Sequence, residues 1–175
     1  MWKADTSCNE WKATATNSKR IAVLLLVSTG ALIAADNPSD MAKEELIRQD
    51  NERLTGTFSL VSGVVNGKPV SEQVRKKTIL ITDHNKFTVS TGDEAGTSSR
   101  GTFVIDPTQT PKTADSLQAD GPDKGKTVLG IYEIIDDNHK RACWAPVGQP
   151  RPTAFSSEPG SGHILQLWQR QESKK

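Results

Sequence analysis

From Gly56 onward the chain alternates. Phe58 and Leu60 stand between Thr57 and Ser59, the two-residue period of a strand with one face buried. Val61 breaks that alternation ahead of Ser62 and Gly63, which predicts a bulge or cover on both faces. Asn66-Gly67 is a turn signal, and Ser71 to Lys77 reads as a short helix or loop. Thr78–Thr82 and Lys86–Thr91 are strand runs joined through Asp83-His84-Asn85, a hairpin signal. Gly92 to Ser99 reads as a flexible connection. Arg100–Asp106 follows as a strand ended by Pro107, then a weaker run, Lys112–Gln118. Thr127–Ile135 carries the strongest strand pattern and turns at Asp136–Asn138 into Lys140–Trp144. The segment Ala145–Pro152 carries three prolines, Thr153–Ser157 is a short run, and His163–Arg170 is the last strand.

About eight short strands with turns roughly every 8–12 residues, and no helices alternating with them, predict an antiparallel meander. A single open sheet of this length leaves its edges unpaired, so closure into a barrel is the expectation, with a sandwich as the alternative. Ahead of the strands, Ser39 or Asp40 caps a helix over Met41–Arg53. Its apolar stripe, Met41, Leu46, Ile47 and Leu54, is narrow, suited to lying across a barrel mouth or a sheet exterior.

The N-terminal region has a different pattern. Lys19 and Arg20 precede a low-polarity run of 15 residues, Ile21–Ala35, followed at once by Asp36, Asn37 and Pro38. A basic region, an apolar stretch and small residues before a polar segment are the parts of a secretory signal peptide, and the run is shorter than the roughly 20 residues of a membrane span. The expected organisation is residues 1–35 as an N-terminal extension plus signal peptide, 36–53 as a polar helical lead-in, and 54–172 as the barrel domain. The expected location is exported, periplasmic or extracellular, with no stable membrane span after cleavage.

Charge narrows the partners. The chain has 175 residues and a formal charge of +1; from Asp36 onward 18 basic side chains face 19 acidic ones. A balance so close to zero lacks the footprint of a nucleic-acid binder. Cys8 precedes the cleavage site, so Cys143 is alone in the mature chain and forms no intramolecular disulfide. Its place in a strand run reads as a buried thiol, with a reactive or intermolecular thiol as the alternative.

Several stretches resemble a lipocalin-like domain family expanded among planctomycete bacteria. They are Leu54–Gly63 with Asn66-Gly67-Lys68, then Gly101–Pro107, Asp120–Tyr132, and Arg151–Ser157 with Pro159–Gly162. The resemblance spans nearly the whole mature chain in order. It implies an all-β, antiparallel eight-stranded, calycin-type barrel with a short N-terminal helix, and by analogy a cavity for a small apolar ligand. No settled activity comes with it. Lipocalins open their first strand with Gly-x-Trp, whose indole packs against an Arg of the last strand. Here Gly56-Thr57-Phe58 holds that place and Arg170 stands near the chain end, so the resemblance assigns Gly56, Phe58 and Arg170 to closing the barrel.

The motifs of catalysis are missing. His84 and His139 sit in predicted turns and His163 at the start of the last strand, with no metal-ligand spacing among them. No Gly-x-Ser-x-Gly elbow or phosphate loop occurs. Asp120, Asp123, Asp136 and Asp137 read as turn formers. No cofactor and no enzymatic activity are expected.

The most distinctive segment is Cys143–Phe155, which places Trp144, Arg151 and Phe155 around a proline-stiffened loop. Arg151 at a rim is suited to clamp a carboxylate, with Trp144, Phe155, Tyr132 and Phe103 as ligand-facing aromatics. The competing account is that Trp144 and Phe155 pack the core while Arg151 pairs locally. Two functions follow: an exported module binding a small apolar or acidic amphiphilic ligand in a cavity lined by Phe58, Phe87, Phe103, Tyr132 and Trp144, or an exported structural or protein-interaction domain with a filled barrel.

Overall fold

In the computed structural model, residues 38–91 and 98–172 are described. The predicted signal segment lies outside them, as does most of the connection predicted over Gly92–Ser99. Helix α1 (Pro38–Leu54) leads into strand β1 (Gly56–Val65), a two-residue strand β2 (Lys68–Pro69) and a short helix α2 (Glu72–Lys77). Seven strands follow: β3 (Ile79–Asp83), β4 (Lys86–Ser90), β5 (Ser98–Asp106), β6 (Thr113–Gln118), β7 (Thr127–Ile134), β8 (His139–Trp144) and β9 (Ile164–Arg170).

Every neighbouring pair is antiparallel, and β1 bonds to both β3 and β9. That double pairing closes β1 and β3–β9 into an eight-stranded barrel and removes the open edges. β2 is only a ribbon on the far half of β1, where Val64 faces Pro69.

The sequence signals map onto this frame. The alternation broken at Val61 is a bulge, since the β1–β9 register shifts between Leu60 and Ser62. The bulge lets one strand bend from its β3 partner to run the length of β9. Ser71 caps α2 by accepting from the Val74 amide at 3.3 Å. Ser98 and Ser99 belong to β5 rather than to a connection. Thr153–Ser157 is not a strand but part of the long irregular segment between β8 and β9.

The barrel has two packed regions. Phe58, Leu60, Leu80 and Trp168 form one buried cluster; Leu54, Phe103, Ile105, Ala114 and Tyr132 form the other. Helix α1 packs against the second cluster. Its Leu54 and Ile47 reach that cluster, while Met41 and Leu46 stay exposed, so only half of the expected apolar stripe is used. Polar groups make up the rest of the docking. Lys43 pairs with Asp106 at 2.9 Å, and buried Asp50 accepts from the Tyr132 hydroxyl at 2.6 Å and from Lys112 at 2.7 Å.

A cavity inside an eight-stranded barrel

The period-two pattern sends alternate side chains of each strand inward. On β5 these are Phe103 and Ile105, on β7 Gly130 and Tyr132, on β8 Lys140, Ala142 and Trp144. They do not fill the barrel. A cavity of about 430 Å³ remains, within the range of about 300–1,000 Å³ typical of small-molecule pockets.

Its walls are aromatic and aliphatic: Phe87, Phe103, Tyr132, Trp144 and Val89, with Trp168 toward the α1 end. A polar stripe crosses them. Ser99 donates to the Gln118 side-chain carbonyl at 3.3 Å, and the Gln118 amide donates to Ser116 at 3.0 Å. The opposite end is lined by Thr91 and the Asp120–Asp123 turn.

Gly130 shapes one wall. It pairs with Trp144 across β7 and β8, and a methyl group on Gly130 would strike the indole ring. The bare backbone lets the indole lie flat along the strand. An isolated Gly in a strong strand pattern is the sequence sign of such a close approach.

Lys140 is the unusual member of the lining. Its side chain is inward and the residue only 7% exposed. Its ammonium nitrogen donates to the Leu54 carbonyl at 3.0 Å and sits 3.5 Å from the centre of the Phe58 ring. The Thr82 hydroxyl donates to the same carbonyl. No carboxylate pairs with Lys140 among the described residues; its charged neighbour is the Arg170 guanidinium. Burial first, and that like charge second, push its pKa down to about 7.

Arg170 faces the Phe58 ring at 4.7 Å and donates to the carbonyls of Thr55 at 2.7 Å and Arg53 at 2.6 Å. Gly56, at φ +140°, lies against it, and a side chain there would collide with the guanidinium. Gly56, Phe58 and Arg170 thus meet at the α1 end. Phe58 is 1% exposed and does not line the cavity; it packs with Leu60, Leu80 and Trp168 at the α1 end of the interior.

The aromatic and guanidinium residues grouped in the sequence divide between two faces. Phe103, Tyr132 and Trp144 line the cavity; Arg151 and Phe155 do not. The segment after β8 turns outward and runs along the barrel exterior. Arg151 donates to the carbonyls of Ala114 at 3.0 Å and Gly130 at 2.6 Å, and pairs with the Asp115 carboxylate. The Phe155 ring stacks on Arg141 at 4.2 Å. Cys143, also on the outer face, is fully buried beneath this segment and donates to the Ser156 carbonyl at 3.2 Å. Burial pushes its thiol pKa up, the state of an inert rather than a nucleophilic sulfur.

The histidines stay in local contacts. His84 meets Asp83 at 2.6 Å, His139 meets Asp136 at 3.0 Å, and His163 meets the Ser156 carbonyl at 3.3 Å. Among the described residues no group of three or more His, Cys, Asp or Glu is placed to hold a metal ion.

Fold and cavity together define a closed antiparallel eight-stranded barrel with an internal, largely apolar chamber. No family model matches this chain, and no curated protein is significantly similar to it.

Proposed function

We propose that this is an exported lipocalin-like protein that holds a small apolar or amphiphilic ligand inside its barrel, as a binding protein rather than an enzyme. The observation that carries the reading is the cavity of about 430 Å³ with four aromatic walls, Phe87, Phe103, Tyr132 and Trp144. Such a chamber gains free energy by taking apolar surface out of water, at about 25 cal/mol per Å². Polar groups at Ser116 and Gln118 offer an orienting contact. Export rests on the basic, apolar and small-residue sequence that ends at Ala35. The order of the quoted stretches supports membership of the planctomycete lipocalin-like family.

The competing reading, a structural or protein-interaction domain, requires a barrel filled by its own side chains, which the cavity volume disfavours. The deciding measurement is displacement of the fluorescent probe N-phenyl-1-naphthylamine by decanol. The wild-type protein should enhance the probe's emission and lose it as decanol is added. Ala142→Trp, which puts an indole into the chamber, should abolish the enhancement while the fold persists by circular dichroism. No enhancement by the wild-type protein overturns the reading.

A further inference from the structure

Lys140 bonds the last carbonyl of α1 and packs on the Phe58 ring, yet no carboxylate pairs with its charge among the described residues. A buried ammonium is costly unless an anion compensates it, and the described residues supply only a carbonyl and an aromatic face. A methionine would fill similar space with no charge to desolvate, though it would lose the bond to Leu54 and the contact with Phe58. Two features of its setting are those that turn a lysine into a nucleophile: an apolar chamber that desolvates the amine, and a second cation close by. The walls provide the first. Arg170 provides the second, facing the same Phe58 ring as Lys140. Together they bring the pKa to about 7, so near neutrality a large fraction of the amine carries a free lone pair.

We infer that Lys140 captures an aldehyde ligand in the barrel as an imine, an inference that rests on the cavity being a ligand site. The Nζ lone pair attacks the aldehyde carbon, and one proton passes from nitrogen to oxygen to give a carbinolamine. The carbon–oxygen bond then breaks, and the oxygen leaves as water with the second nitrogen proton. Amine plus aldehyde become imine plus water, with no oxidant or reductant. An apolar aromatic wall beside the imine disfavours water there and so slows the reverse hydrolysis. An apolar aldehyde suits the chamber better than a carboxylate, since it enters without a charge to desolvate.

The test uses the wild-type chain, decanal and sodium cyanoborohydride, which reduces any imine to a stable secondary amine. Intact mass should show one adduct per chain, and peptide mapping should place it on Lys140. Labelling should exceed that of exposed lysines by on the order of tenfold or more, because water stabilises an exposed ammonium and burial does not. Its rate should climb as pH rises through about 7, and excess decanol should suppress it. Lys140→Arg keeps the charge and a donor but should lose the adduct; should that variant fail to fold, mapping on the wild-type chain still decides. Decanol displacing the probe while decanal adducts scatter over exposed lysines overturns the inference and leaves the cavity reading standing. Decanoate binding more tightly than decanol with no adduct at Lys140 assigns the lysine to an anion and also overturns it. Failure of decanol to displace the probe removes the cavity reading and this inference with it.

Discussion

The hydroxyl of Tyr132 donates to the carboxylate of Asp50 at 2.6 Å, joining the inner face of β7 to helix α1. Asp50 is 6% exposed and takes a second bond from Lys112, so a buried charge is held by two donors. Burial first and Asp50 second raise the phenol pKa, so Tyr132 remains a donor across the ordinary pH range. Tyr132→Phe leaves the carboxylate with Lys112 alone. Hydrogen bonds to charged groups are worth about 1.5–3 kcal/mol, and urea unfolding should show a loss of that size. A change within about 0.5 kcal/mol, the range of inert surface substitutions, would mean that α1 does not depend on this bond.

Phe58 is among the largest fully buried side chains of the described residues. Its ring is buried with Leu60, Leu80 and Trp168 and meets Lys140 and Arg170. Phe58→Ala should cost about 3–5 kcal/mol, the range for aromatic deletions in cores. Equilibrium denaturation measures it, and a loss under about 1 kcal/mol would rule out a core plug at this position.

Gly130 should tolerate nothing larger. The Trp144 indole occupies the space that a Cβ would take, so Gly130→Ala must push the ring into the cavity or away from the strand. Overpacking of this kind costs about 1–3 kcal/mol. The indole N–H resonance of Trp144 should move, and affinity for decanol should fall. An unmoved resonance would mean that the backbone, not the ring, gives way.

The strands were legible because period two survives wherever one face is buried. The break at Val61 admits a bulge or cover on both faces, and only the register shift between Leu60 and Ser62 makes it the bulge. Lys140 was not legible. A lysine in a strand run reads as solvent-facing, and only the placement of Ala142 and Trp144 beside it shows the parity of β8. Cys143 read as buried and is, but on the outer face, covered by the proline-rich segment. Buried outer faces have no sequence signature when a loop rather than an element covers them. The same loop explains why Arg151 and Phe155 lie apart from Trp144. Proline stiffness reveals a fixed path, not whether that path crosses the barrel end or follows its side.

Arg151 therefore invites a stability measurement. It bonds to the carbonyls of Ala114 and Gly130, which are cross-strand partners in β6 and β7, and to Asp115. Removing the guanidinium unpins the loop from that strand pair. The side chain is about a quarter exposed and Asp115 nearly half, so solvent makes up part of the loss. Arg151→Ala should cost about 1–3 kcal/mol in urea unfolding while affinity for decanol stays near wild type. A variant of unchanged stability that loses binding of acidic amphiphiles would instead place Arg151 in a ligand contact.

Lys140 gives the fold a pH dependence of definite sign. Its folded pKa is about 7, and an unfolded lysine has about 10.4. Between those values the unfolded chain binds a proton that the folded chain does not, so stability rises with pH across that window. Above about 10.4 the lysine is neutral in both states and costs nothing. Below about 7 it is charged in both, and the penalty has reached its full, constant size. The slope inside the window approaches 1.4 kcal/mol per pH unit at its steepest. Urea unfolding at pH 7 and pH 9 should show the protein more stable at the higher pH. Lys140→Met removes the titrating group, and its stability should differ less between the two. A wild-type protein no more stable at pH 9 than at pH 7, or a variant with the same slope, would mean that the Lys140 ammonium is compensated in the native state.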